Sequence, residues 1–420
     1  MKVQFRFAIL AATCLTLPSM ALAQNEEPQA PDEKNTDNAI IVTGEKLDRS
    51  IQETATSVDV TTQKDIEDLN IVDLEDVLRR VGNAGFVDSG SGQGEQFTIR
   101  GVQSQGVTAG SSTPVSALFI DGAIVPNQAA GAAITNAWDV AQVEVLRGAQ
   151  STVQGRNSLI GAIAITTNNP TDEFEYALQA RYGEFNTFDI SGLLSGPIIG
   201  DDVKLRVAAQ HAESDGFVTY SDGTEADRER STVVRGKLLI EPSAIPEFTA
   251  QLTAIYSDER DGNALQPESL LQEPDIVGRI DRELQLYSLK LNYEFDETFS
   301  LQTLSTYSTL KTSELADFDG LARFPFQFSP TRTNTRDQDD MIQELRLTFK
   351  TDRVRGFVGG LYAERGADDF TTASTVVPSA GVDLDLAPLG LDQIYAGVIA
   401  QATGGAIPNF TTPATAPRRL

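Results

Sequence analysis

Beyond about residue 174 the chain alternates between two kinds of position. Tyr176, Leu178, Ala180 and Tyr182 interleave with Ala177, Gln179, Arg181 and Gly183. Val203, Leu205, Val207 and Ala209 interleave with Lys204, Arg206, Ala208 and Gln210. Tyr287, Leu289, Leu291, Tyr293 and Phe295 do so with Ser288, Lys290, Asn292 and Glu294, and Phe248, Ala250, Leu252, Ala254 and Tyr256 follow the same rule. Successive strand side chains point to opposite faces, so a period of two predicts strands with one apolar and one polar face. About nine such strands fit between Phe174 and Arg365. A soluble sandwich alternates too. Aromatics near strand ends favour a membrane barrel, as does the difference between short turns (Gly183-Glu184-Phe185-Asn186) and longer polar stretches (Ser214 to Glu229).

Upstream, residues 45–172 have another texture, that of a compact α+β domain. Val58-Asp59-Val60-Thr61 predicts a short strand. Thr62 with Asp65, then Asn70 with Asp73, predict two capped helical turns. Leu74, Val77, Leu78 and Val81 recur at helical spacing and predict core. The glycine-rich Asp88 to Gln96 has neither a following Gly-Lys-Ser/Thr nor G-x-G-x-x-G spacing, so it predicts a flexible loop rather than a phosphate cradle. Phe97-Thr98-Ile99 runs into Arg100-Gly101. Val115 to Val125 predicts a hairpin turning at Asp121-Gly122. Two further strands are expected, one ending in Arg147-Gly148 and one over Ala162 to Thr167.

The N-terminus has Lys2 and Arg6, an apolar run from Phe7 to Leu17, and Ala21-Leu22-Ala23. This pattern predicts a signal peptide over residues 1–23, cut before Gln24. Cys14, the one cysteine, leaves with it, so no disulfide is expected. Residues 24–44 are expected to be a flexible segment ending in the strand-prone Ile40-Ile41-Val42-Thr43-Gly44. Such a patch can open the next domain or add itself to a partner's sheet edge. The chain carries 33 Lys and Arg against 60 Asp and Glu, a net charge of −27, so nucleic acid is not an expected partner. One histidine, His211, excludes a His-based triad or multi-His metal site. No catalytic cluster, metal site or cofactor is expected. Asp201-Asp202 and Asp339-Asp340 are read as solvated strand flanks.

FTIRG, ALFIDGAIV and VEVLRGAQSTVQGRNSLIGAIAITTNNP, in this order and spacing, resemble the plug domain of TonB-dependent outer-membrane receptors. IIVTG, just upstream, resembles the TonB box of that family. Departures fall at Leu118, Ala149, Gln154 and Ile160. The resemblance implies an α+β plug domain (residues 45–172) followed by antiparallel transmembrane β-barrel strands (residues 173–420). Family barrels close with 22 strands, more than the residues after Asp172 can supply, so an incomplete barrel of about nine strands is expected. The stretch from Thr375 to Leu420 predicts a long extracellular loop.

The resemblance also implies a function. Ile40, Ile41, Val42, Thr43 and Gly44 would bind TonB, which is driven by its inner-membrane energising complex. A small nutrient ligand such as a ferric siderophore would be taken up across the outer membrane of a Gram-negative cell, with membrane lipid around the barrel. Arg100, Gly101, Asp121, Gly122, Arg147, Gly148, Gly155 and Arg156 would carry the plug motifs. Arg100 and Arg147 would latch onto Glu344 of the wall. The alternatives are a non-transporting fragment that only binds TonB or misfolds, and a signal-transducing receptor.

Overall fold

The computed structural model describes residues 41–42, 49–51, 54, 56–87, 96–104, 114–126, 136–150, 158–220, 223–263, 271–272, 277–317, 329–351 and 354–376. The expected signal peptide, the segment 24–40, the glycine-rich residues 88–95 and residues 377–420 lie outside them.

Two short strands, β1 (Ile41–Val42) and β2 (Arg49–Ser50), pair antiparallel. Next come β3 (Ser57–Thr62), α1 (Gln63–Asp68) and α2 (Leu74–Leu78). Thr62 caps α1 as expected, in a reciprocal capping box with Asp65. The second cap is Asp73 alone, which accepts from the Asp76 amide at 2.9 Å. Asn70 instead adopts a left-handed φ of 49° between the helices. Burial pushes the Asp73 carboxyl above the usual range.

After β4 (Ala84–Val87), β5 (Gln96–Ile99) and β6 (Val102–Gln103), which form a small antiparallel sheet, come β7 (Ser116–Ile120), β8 (Ala123–Val125), β9 (Val140–Arg147) and β10 (Gly161–Thr167). The main inner sheet runs β3-β9-β10-β7-β8, with only β10–β7 parallel. Its apolar side chains pack with Ile66, Leu74, Val77 and Leu78 of the helices. Both Asp121 (φ 47°) and Gly122 (φ 82°) are left-handed, so β7 and β8 join in the tight turn that Asp-Gly favours.

The remaining strands are β11 (Glu175–Tyr182), β12 (Phe188–Ile199), β13 (Val203–Ser214), β14 (Thr219–Tyr220), β15 (Glu229–Ile240), β16 (Phe248–Gly262), β17 (Leu271–Gln272), β18 (Arg279–Glu294), β19 (Phe299–Asp317), β20 (Ser329–Lys350) and β21 (Arg355–Val376). Apart from the small β14–β17 pair, they form one nine-stranded sheet in chain order, every neighbour antiparallel. Its last strand reaches Val376, past the expected end at Arg365. Among the described residues β11 and β21 are each paired on one side only.

This sheet is inverted relative to a soluble one. Leu178, Val207, Val234, Leu252, Tyr256, Tyr287 and Leu289 are exposed on one face. The opposite face buries Arg206, Arg235, Lys237, Thr253, Ser257, Glu259 and Arg282. An apolar outer surface around a polar interior is the signature of a lipid-facing barrel wall. The inner strands sit against that polar face. Val233, Ile255, Leu284, Leu286 and Leu310 of the wall join the inner core, and Ile342 joins a second cluster with Phe119 and Leu146.

One aspartate differs from expectation. Asp340 faces inward and is buried, paired with Arg365 at 2.8 Å, because positions 340 and 365 are cross-strand partners. Asp202 is solvated in the turn before β13, as expected; it holds the Ser243 hydroxyl and amide, and that hydroxyl contact keeps its carboxyl below the usual range.

Gly161 supplies a test of the inner sheet. A Cβ there would lie 2.5 Å from the Leu146 carbonyl and 2.7 Å from Ile99 Cδ1. Gly161→Ala should therefore destabilise the inner sheet by about 1–3 kcal/mol, the usual range for overpacking. Faster amide hydrogen exchange at Val145 and Ile163, with wall amides unchanged, is the expected readout.

Candidate functional site

Three wall cations converge on the inner body. Arg206 lies on the buried face of β13. Its Nη2 and Nε donate to Asp139 Oδ1 at 2.6 and 2.8 Å, and Nε also reaches Oδ2 at 3.1 Å. Nη1 donates to Glu175 Oε2 at 3.0 Å. The Arg206 and Asp139 side chains are 5% and 3% exposed, so this is a buried, forked ion pair. Asp139 stands immediately before β9 at φ 58° and also accepts from Asn168 Nδ2 at 3.1 Å.

Arg235 and Lys237 lie on β15, two residues apart and thus on the same face. Arg235 donates to the carbonyls of Asn136, at 3.0 Å, and Trp138. Lys237 Nζ donates to the Thr167 carbonyl at 2.9 Å and pairs with Asp121 Oδ2 at 3.2 Å. Asp121 accepts from the Thr167 amide and hydroxyl as well, at 3.0 and 2.6 Å. The turn it heads reaches the wall: Ser288 Oγ donates to the Asp121 carbonyl at 3.0 Å, and a Cβ on Gly122 would lie 3.0 Å from Leu304 Cδ2.

These contacts form one seam toward the end of the wall that carries the β12–β13, β15–β16 and β18–β19 turns, whereas the short turn at Gly183 to Asn186 lies at the opposite end, beside Asp215. The wall supplies cations; the inner body supplies carboxylates and carbonyls. Desolvated charges persist only when partnered, and each fork here has a partner with matching geometry. The arrangement has no nucleophile–base pair and, among the described residues, no cluster of metal-ligating side chains. What it can do is hold one body inside another in a defined register.

Among the described residues, neither Arg100 nor Arg147 pairs with Glu344. Arg147 turns to Asp59 Oδ2 at 2.6 Å and the Gly82 carbonyl at 2.8 Å, both within the inner body. The reason is proximity: β3 is bonded directly to β9, which sets Ser57 opposite Arg147 and Asp59 opposite Val145. Arg100, left-handed at φ 54° and exposed, runs beside Gly148, while Gly101 completes its turn. Glu344 meets Arg346 on its own strand at 3.3 Å. Of the other named positions, Asp121 and Gly122 lie in the seam, and Gly155 and Arg156 lie outside the described residues. Ile41 and Val42 form β1, whereas Ile40, Thr43 and Gly44 lie outside the described residues.

Asp139, Arg235 and Lys237 were not singled out in the sequence. Strand parity put Arg206 on the polar face, but parity names no partner.

The two kinds of pair should separate on mutation. Lys237→Met leaves Asp121 buried without its cation and should cost about 3 kcal/mol. Arg147→Ala, whose partner Asp59 is half exposed, should cost about 1 kcal/mol or less. Denaturant titration followed by the emission of Trp138, the one tryptophan and part of the seam, measures both.

Comparison with known proteins follows the same lines. Residues 50–162 match the TonB-dependent receptor plug domain. A vitamin B12 transporter, BtuB, of Photobacterium profundum is 24% identical over 225 residues, covering 52% of this chain and 34% of that protein. The BtuB of Vibrio cholerae is 25% identical over 214 residues, 50% of this chain and 32% of that protein. The chain thus matches about a third of the length of these curated relatives. Among solved structures, the ferric yersiniabactin uptake receptor FyuA of Yersinia pestis aligns with a TM-score of 0.66 at 17% identity, over 79% of this chain and 51% of that one. The ferripyoverdine receptor of Pseudomonas aeruginosa aligns at 0.61 and 16% identity, over 81% and 46%. Residues 50–162 thus carry a TonB-dependent receptor plug domain, and the inverted sheet behind it shares its fold with part of the barrel of these receptors.

Proposed function

We propose that the chain serves TonB-energised uptake of a scarce nutrient, such as a ferric siderophore, across the outer membrane of a Gram-negative cell. The observation that carries this reading is the seam. A plug is held in a polar lumen by directional ion pairs toward one end of the wall, leaving the long-loop end to meet a ligand. The activities of the relatives, vitamin B12 transport and ferric yersiniabactin uptake, fit the same class.

The mechanism follows from the residues. An exported chain presents its long loops and the plug apex to a nutrient outside the cell. Ile40 to Gly44 pairs as an added strand with TonB, where main-chain hydrogen bonds supply affinity. Force from the inner-membrane complex then shifts the plug against the seam. Substrate passes unchanged, so no catalytic group is called for.

A second reading is a chain that binds TonB without transporting. It draws on the one-sided pairing of β11 and β21 among the described residues, because unpaired backbone edges are costly in lipid. Two measurements on outer-membrane fractions separate the readings. Uptake predicts a heat-modifiable barrel band recognised by a plug antibody. It also predicts accumulation of at least one member of a panel of labelled ferric siderophores and cobalamin, lost when residues 40–44 are deleted. A band that is not heat-modifiable, with no energised accumulation of any member, would favour the second reading.

A further inference from the structure

Two notches lie one below the other on the outward face of β19, β20 and β21. The upper encloses about 350 Å³ and is bordered by Tyr307, Lys311, Asp337, Asp339 and Asp368. It opens at Gly366, where a Cβ would run into the Asp339 carboxylate. The lower encloses about 440 Å³ beside Thr303, Gln343, Leu345 and Tyr362. It opens at Gly360, where a Cβ would meet nothing within 4 Å. Register sets both notches on one side of the sheet. Lys311 stands opposite Asp337 and Asp337 opposite Asp368, while Thr303 stands opposite Leu345 and Leu345 opposite Gly360. That side is the lipid-facing one, since Tyr307 stands opposite Tyr287 and both are exposed.

We propose that this face binds one membrane phospholipid with an ethanolamine headgroup. The phosphate rests on Lys311, the ammonium among Asp337, Asp339 and Asp368, and an acyl chain in the notch at Gly360. The charges select this headgroup. Lys311 has a carboxylate opposite it on each neighbouring strand, Glu283 and Asp337. Among the described residues it still makes no ion pair, and the side chains of Asp337, Asp339 and Asp368 have no hydrogen-bond or ion-pair partner. All four are exposed. One free cation beside three free carboxylates suits a ligand carrying both signs of charge. A phosphate alone would be repelled by the carboxylates. A bare metal ion needs converging ligands, and among the described residues no group of three carboxylates is placed to hold one.

Continuity with the lipid-facing surface makes the ligand a lipid. The two glycines lie six residues apart on β21, about 20 Å along the strand. A strand tilt of about 40° reduces this to about 15 Å of depth. One leaflet with its headgroups is about 20 Å deep. A single lipid therefore reaches both notches. Leu345 and Tyr362, each more than half exposed, offer its chain an apolar wall.

The test uses the full chain in detergent, titrated with phosphatidylethanolamine and with phosphatidylglycerol of identical acyl chains, and read by native mass spectrometry. The ethanolamine lipid should bind at least about tenfold more tightly, the scale of one charge-assisted contact. Equal binding, or a preference for the glycerol lipid, would overturn the proposal. This comparison needs no variant, so it holds even where a substitution disturbs folding. Soluble phosphoethanolamine should not bind at the concentration that saturates with lipid; binding as tight as the lipid's would contradict the role of the lower notch. Two variants locate the site. Gly360→Phe fills the lower notch, and Lys311→Glu reverses the upper cation. Each should weaken the ethanolamine lipid by about tenfold, with Trp138 emission unchanged as the sign that the plug is seated. Unchanged affinity in either variant would place the lipid elsewhere and reject the assignment.

Discussion

The forked contact between Arg206 and Asp139, with its neighbours at Lys237 and Arg235, answers a problem that the wall creates for itself. A sheet with one face in lipid must put its charged side chains on the other. Those inward charges are then cut off from water wherever another body covers them, and a buried charge without a partner is costly. The inner body meets this demand with carboxylates and carbonyls placed opposite the wall cations. Asp121 and Asp139 both sit in the left-handed region at strand boundaries, a conformation that aspartate tolerates better than most residues. Turn chemistry thus delivers the acids to the seam.

Attachment of the plug then has two components with different characters. Val233, Ile255, Leu284, Leu286 and Leu310 merge with the inner core, burying apolar area without strong directionality. The seam is directional. Buried ion pairs are a weak source of net stability but a good source of register. A plug held by apolar contact alone could settle in several orientations. One also held by Arg206, Arg235 and Lys237 has a single alignment in which all three are satisfied. On the uptake reading proposed above, such an interface suits a body that must stay in place yet still be moved by force.

Much of this fold was legible in the sequence because local rules wrote it. The two-residue period gave the wall strands and their facing. Thr62 with Asp65 gave a helix start, and Asp121-Gly122 gave a hairpin. The seam was less legible, since its contacts join residues far apart in the chain, such as Asp139 with Arg206 and Asp121 with Lys237. Periodicity says which way Arg206 points and nothing about what waits there. Arg147 pairs inside the inner body and not with Glu344 for a related reason. A carboxylate on the adjoining strand, Asp59, lies within reach of Arg147 without any cooperation from the wall. Asp340 was misread as solvated because its cross-strand partner Arg365 lies 25 residues on.

The central claim is that wall cations and plug carboxylates are energetically coupled rather than merely adjacent. A double-mutant cycle on Arg206→Ala and Asp139→Ala, read by the denaturant midpoint of Trp138 emission, measures that coupling. The account predicts an interaction energy of about 2 kcal/mol or more, within the range for residues sharing one ion-pair network. Additivity within about 0.5 kcal/mol would contradict it, and would mean that the plug is held by its apolar contacts, with the seam a consequence of its seating and not the cause.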